Sequence, residues 1–288
     1  MTEMAKYFIT YGNSMFELAK KRIEKEAINL KIFDKIILYS EKDVSEELKN
    51  SDVFKEKRGA GLWSWKPDVI KSTLAKMNDG DYLVYCDAGC SLYKSREWHE
   101  YFKMLEQHDI LAQRIYQRND KWSRKNILEY FKKSNPQNWE KCYQYLATVI
   151  ILKATPFTRQ FFTEWRNLMM EHPEMVKDVN QVERQFENSS FIENRHDQAL
   201  YSALVYKYTS NGNFNQKILT KWEHIEDCDL IFKQAIRATR LRNGETKETT
   251  KRHIIAIFKR LAKDYLLRPF KYAPLQWYYN KIIINHSK

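Results

Sequence analysis

A chain of 288 residues, 43% hydrophobic and 30% charged, suits one large α/β domain with an appendage, or two small domains, and is not a disordered protein. Seven glycines, six prolines and the lack of any internal period or low-complexity tract argue against repeats and long flexible linkers. The net charge of +12 sits almost wholly at one end: residues 231–288 hold 14 Lys and Arg against three Asp and Glu, which is +11 of the total.

The opening residues Met1–Thr10 contain an acid and only a brief apolar run, so they lead into a first strand rather than forming a secretory signal, and a cytoplasmic chain is expected. Lys6–Tyr11 is expected to be that strand, with Gly12-Asn13-Ser14 as a turn or helix cap. Residues 15–29 place Phe16, Leu18, Ala19, Ile23, Ala27 and Ile28 at amphipathic helical spacing, and residues 33–39 read as a second strand. Strand, helix and strand with short joins imply a parallel unit. Neither a Gly-x-Gly-x-x-Gly fingerprint nor a Gly-x-x-x-x-Gly-Lys loop occurs, which disfavours a Rossmann dehydrogenase or a P-loop NTPase.

The segment Arg58-Gly-Ala-Gly-Leu-Trp-Ser-Trp-Lys-Pro-Asp68 reads as a loop entering a helix, with Pro67 in its first turn and Val69, Ile70, Thr73, Leu74 and Met77 at helical spacing. Arg58 and Lys66 are candidates for a phosphate, and Trp63 and Trp65 for a flat ring or sugar face, although tryptophans also serve as core. After the turn Asn78-Asp79-Gly80 comes the apolar run Tyr82–Cys86, a buried strand ending on Asp87, Ala88 and Gly89. In an open α/β sheet ligands sit beyond the carboxyl ends of strands, so Asp87 faces a crevice unless it merely caps a turn.

Residues 145–152 read as a second buried strand whose Ala147 and Thr148 face the same crevice, followed by a helix over 156–170. Residues 171–190 are polar without a regular apolar pattern and suggest a loop or lid. Arg195-His196-Asp197-Gln198 then opens another helix, where free N–H groups favour anions. The four cysteines, Cys86, Cys90, Cys142 and Cys228, lack paired zinc spacing and read as free thiols in a reducing compartment.

With Gly61–Pro67, Asp81–Cys90, Ala147–Lys153 and Arg195–Gln198 in order, the chain resembles bacterial and viral GT-A-type glycosyltransferases of surface-polysaccharide (capsule, O-antigen, lipooligosaccharide) loci over about residues 6–210. The resemblance implies a Rossmann-like mixed sheet flanked by helices as a catalytic domain over 1–230, followed by a basic helical extension over 231–288. It implies a nucleotide-diphosphate sugar as donor and a saccharide or lipid-linked saccharide as acceptor. In such enzymes an Asp-x-Asp motif holds a divalent metal; here Gly89 replaces the second acid, which leaves Asp87, with His196 or Asp197, as protein ligands for Mn²⁺ or Mg²⁺ and the diphosphate to supply further oxygens. Thr10, Tyr11, Gly12, Arg58, Trp65, Lys66, Asp87, Ala88, Gly89 and Thr148 are the implied donor contacts. His196, Asp197 and Gln198 are the implied catalytic group, with Gln198 near the anomeric carbon in the manner of retaining enzymes.

The extension interleaves Ile254, Phe258, Leu261 and Leu266 with Lys251, Arg252, Lys259, Arg260 and Lys263 and ends on Trp277-Tyr278-Tyr279. That composition suits an anionic membrane surface, which would put the chain at the inner face of the cytoplasmic membrane, or a helix packed on the catalytic domain. Nucleic acid is disfavoured, since no nucleic-acid module accompanies the charge. The rival readings are a nucleotidyltransferase, which wants a Gly-rich basic loop after the first strand, and a non-catalytic membrane or nucleic-acid adaptor.

Overall fold

The computed structural model describes residues 4–210, 212, 216–222, 234–241 and 243. Its strands are β1 (Lys6–Tyr11), β2 (Lys35–Tyr39), β3 (Tyr82–Cys86), β4 (Ser91–Leu92), β5 (Ile110–Arg118), β6 (Tyr143–Tyr145), β7 (Val149–Lys153), β8 (Ile218–Trp222) and β9 (Ile236–Arg237). Seven of them form one mixed sheet in the order β2-β1-β3-β7-β5-β6, with β8 pairing along β5, while β4 and β9 make a separate ribbon. β1 runs parallel to both β2 and β3, as the strand–helix–strand pattern requires. β7 runs antiparallel to β3 and to β5, so the fold is mixed α/β.

β3 reads as an unbroken apolar run because both its faces are covered. Leu83 and Tyr85 pack with Val69, Ile70, Phe161, Trp165 and Leu200, which come from the helices Trp65–Leu74, Pro156–Glu171 and Asp197–Ser210. Tyr82, Val84 and Cys86 pack on the other side with Ile23 and Ala27 of the helix Glu17–Leu30 and with Trp98, Tyr101 and Leu105 of the helix Glu97–Gln107. Each such fully buried Val, Leu, Ile or Phe side chain contributes about 1.5–3 kcal/mol relative to exposure. Local signals fix the ends: Thr155 and Thr158 form a reciprocal cap with Pro156 in the first turn, and Lys31 closes Glu17–Leu30 in the left-handed conformation.

Two expectations change. The strand expected over 145–152 is two strands, β6 and β7, interrupted at residues 146–148, and a run apolar but for Thr148 hides such a break because it carries no period. The lid segment contains short helical turns at Pro173–Val176 and Gln181–Arg184 and buries Met175 and Val176. Arg124 ties it down through Glu183 and Glu187, each at 3.1 Å.

Residues 234–241, from the stretch expected to be the basic extension, lie against the turn after β3, with β9 pairing antiparallel to β4. The expected amphipathic helix near 251–268 and the aromatic cluster at 277–279 lie outside the described residues. Among the described residues no helix is long and apolar enough to cross a membrane. Cys86, Cys90 and Cys142 are free thiols.

Candidate functional site

The parallel register of β1 and β3, Ile9 beside Tyr85, brings Tyr11 and Asp87 to the same sheet edge. β7 begins there too: Val149 pairs with Cys86, and the Asp87 N–H donates to the Thr148 carbonyl at 2.9 Å. Beyond this edge lies a cleft of about 500 Å³, lined among others by Arg58, Trp63, Lys66, Asp87, Gln117, Thr148, His196, Asp197, Gln198 and Arg240. A second cavity of about 290 Å³ adjoins it, lined by Tyr11, Gly12, Trp65 and Ala88 among others, and shares Phe16, Trp63, Asp87 and Gly89 with the first. Of the residues singled out from sequence, only Thr10 lines neither; it is wholly buried.

Lys66 organises the cleft. Its ammonium lies 2.6 Å from Asp197 Oδ2 and 3.4 Å from Asp87 Oδ1, with only 3% of the side chain exposed. The Tyr85 hydroxyl also donates to Asp87 Oδ1. Burial works to discharge Lys66, but the charges of Asp197 and Asp87 outweigh it and hold its pKa above the ordinary lysine value. Burial pushes the Asp87 carboxyl upward despite the pull of Lys66 and Tyr85. Three residues far apart in sequence thus form one buried acid–lysine–acid group, with half-buried Asp87 as its solvent-facing member.

Arg58, expected to meet a phosphate, has both arms engaged by carboxylates, Asp178 of the lid segment at 2.5 Å and Glu193 just beyond it at 2.8 Å. It latches that segment to the cleft wall.

The two polar side chains opening the helix Asp197–Ser210 are held in defined orientations. His196 Nδ1 lies 2.7 Å from the Val176 carbonyl, which can only accept, so Nδ1 carries the proton. Burial depresses the His196 pKa, leaving a neutral ring whose buried Nε2 makes no protein hydrogen bond and stands 3.6 Å from Asp178 Oδ1. Gln144 Nε2 donates to the Trp122 carbonyl at 3.0 Å, so its Oε1 is the end that accepts from Gln198 Nε2 at 2.8 Å. Gln198 Nε2 also donates to Gln117 Oε1 at 2.9 Å, and this double anchor assigns its Oε1 as the end free to meet a ligand.

Residues 59–63 all have positive φ, from 50° to 93°. A left-handed turn of this length is costly for Ala60, Leu62 and Trp63, and Gly59 and Gly61 make it possible. A Cβ on Gly59 would fall 2.5 Å from the Trp63 ring, and one on Gly61 would fall 2.9 Å from Phe54 Cα. The turn delivers Trp63 into both cavities, its ring stacked on His196 with centroids 5.0 Å apart, while Trp65 stacks on Tyr11 at 3.8 Å.

This donor set is poor in ligands for a divalent cation. Asp87 Oδ1 faces Lys66 and Tyr85 and His196 Nδ1 faces Val176, which leaves Asp87 Oδ2 and His196 Nε2 as the ligand atoms of the expected pair. Among the described residues no three His, Cys, Asp or Glu side chains converge to hold a metal, so most ligands of a cation at Asp87 would have to come from the diphosphate and water. Where the second acid would stand, a Cβ on Gly89 would meet Arg240 Cα at 3.3 Å and the Leu241 carbonyl at 3.4 Å. The sequence reading missed Gln117, half-buried in a polar stretch of β5, and Arg240, which lay in the stretch assigned to the extension.

No protein family and no curated protein matches the sequence. Solved structures with a similar chain course include the WbbM bifunctional glycosyltransferase, at 10% identity and a TM-score of 0.44, matching 77% of this chain and 39% of that one. Mouse xyloside xylosyltransferase 1 is similar at 11% identity and a TM-score of 0.40, over 75% of this chain and 85% of that one. The glycosyltransferase GlyE of Streptococcus pneumoniae is similar at 10% identity and a TM-score of 0.46, over 90% of this chain and 60% of that one. The chain therefore spans well under half of the first of these, and TM-scores below 0.5 assign neither reaction nor substrate to it.

Proposed function

We propose that this chain is a glycosyltransferase that moves a sugar from a nucleotide-diphosphate sugar to a saccharide or lipid-linked saccharide in cell-surface polysaccharide synthesis. The observation that carries this reading is the Asp87–Lys66–Asp197 group in a two-part cleft beyond the carboxyl ends of parallel strands. The smaller, more apolar cavity, walled by Tyr11, Trp65 and Trp63, suits a nucleobase, and the larger polar cleft suits diphosphate and sugar. Buried carboxylates locked by a lysine offer fixed acceptors for sugar hydroxyls, and a site built to hydrogen-bond hydroxyls discriminates strongly against analogues that lack them.

In the proposed reaction the bond from the anomeric carbon to the diphosphate oxygen breaks and its electron pair leaves on that oxygen. The acceptor oxygen bonds to the anomeric carbon on the same face, and its proton passes to the departing phosphate. Gln198 Oε1 is assigned to the anomeric centre, and attack on the same face makes the proposed enzyme retaining. The part of the basic segment that follows residues 234–241 is assigned to an anionic membrane surface, where a lipid-linked acceptor would be found. Product formation from a nucleotide-sugar panel with wild-type chain tests the reading; a folded Asp87→Ala variant that transfers at near wild-type rate refutes the site.

A further inference from the structure

We infer that the donor diphosphate is held by a protein cation, Arg240, in the place where a second strand-end acid would hold a divalent metal, so that donor binding needs no metal. The inference rests on the donor-site reading above and goes beyond it.

Every main-chain oxygen of the turn Asp87–Cys90 already accepts a hydrogen bond. The Asp87 carbonyl accepts from Cys90 N at 2.9 Å, and the Ala88 and Cys90 carbonyls each accept from Arg22 Nη2 at 2.8 Å. The Gly89 carbonyl accepts from Leu241 N at 3.0 Å and from Thr239 Oγ1 at 2.9 Å. Hard divalent cations collect about six oxygen ligands from carboxylates, carbonyls, substrate phosphates and water. Here the turn offers one carboxylate, already facing Lys66, and the Arg22 guanidinium lies against the same turn.

The position of the missing acid is also filled. Residues 234–241 are strapped across the turn by β4–β9 pairing, by Ser91 Oγ to Thr239 Oγ1 at 2.8 Å, and by Ala235 N donating to Glu97 Oε2 at 2.6 Å. At the end of the strap Arg240 takes φ = 54°, an uncommon conformation for a residue with a Cβ, and its Cα stands 3.3 Å from where a Gly89 Cβ would lie. Arg240 lines the larger cleft together with Asp87 and Gly89. A guanidinium presents paired donors that match phosphate oxygens. Carried to the cleft by the strap, it stabilises the charge that grows on the diphosphate.

The test is calorimetric titration of the full chain with ADP, CDP, GDP, UDP and dTDP, each in EDTA and in Mn²⁺. The diphosphate that binds best is expected to keep its affinity within about twofold in EDTA. Arg240→Gln is expected to weaken that diphosphate by about tenfold or more, as loss of a charge-assisted contact does, while leaving the corresponding nucleoside unchanged. Arg240→Lys should recover part of the loss. Binding that vanishes in EDTA overturns the inference without any variant and leaves the donor site standing. An Arg240→Gln chain that binds like wild type overturns the assignment of Arg240. If none of the five diphosphates binds in either condition, the donor-site reading itself fails and this inference falls with it.

Discussion

Lys66 Nζ lies 2.6 Å from Asp197 Oδ2, a contact that joins the first turn of one helix to the first turn of another across 131 positions of sequence. Removing the cation would leave two carboxylates facing each other in a buried cleft. Lys66→Met is therefore expected to destabilise the chain by about 3–5 kcal/mol, the range for breaking a buried pair from one side. Adding Asp197→Asn should recover a substantial part, a coupling that urea unfolding of the two single variants and the double variant measures. Because the folded pKa of Lys66 is raised, its contribution is fully present below the unfolded lysine value and is lost only as pH rises through the folded one.

Gly89 is required by the strap, not by its own turn conformation. Restoring an acid with Gly89→Asp would drive its Cβ against the main chain of Arg240 and Leu241, which cannot swing aside as a side-chain tip would. The expected cost is about 1–3 kcal/mol in urea unfolding, the range for overpacking, with no gain of Mn²⁺-dependent stabilisation. Stability equal to wild type would mean that the strap yields.

His196 gives stability a pH dependence on the acidic side. Burial holds its folded pKa below the ordinary value, against Val176, Asp197 and Asp178, with Arg58 adding to the depression. The unfolded state therefore binds more protons as pH falls below about 6.5, and stability drops from there down to the folded pKa. His196→Asn keeps a donor for the Val176 carbonyl and does not titrate, so its loss of stability between pH 7.5 and 5.5 should be smaller than wild type's by denaturant unfolding.

Much of the framework was legible in the sequence because it obeys simple periodicities. β1, β3 and the helices Glu17–Leu30, Trp65–Leu74, Pro156–Glu171 and Asp197–Ser210 all carry an apolar run or stripe, and most were bounded by recognisable turns or caps. The site residues near Asp87 and His196 were legible because they follow such elements directly. Their pairing was not, since nothing local at Lys66 tells that its charge is spent on Asp87 and Asp197. β5 escaped notice because Gln113, Arg114 and Gln117 interrupt its apolar pattern, yet that strand supplies the amide anchoring Gln198. Arg240 escaped because its segment carries the charge signature of the tail, and only the pairing of β9 with β4 draws it back to the cleft.

Thermal denaturation of the full chain and of Asp87→Asn against a panel of nucleotide-diphosphate sugars tests the central claim most directly. One nucleotide series is expected to raise the wild-type melting temperature by about 5–10 °C at a roughly hundredfold excess over Kd, and to raise that of Asp87→Asn far less. No shift from any nucleotide sugar, or equal shifts in both proteins, would contradict a donor site built on Asp87, Lys66 and Asp197.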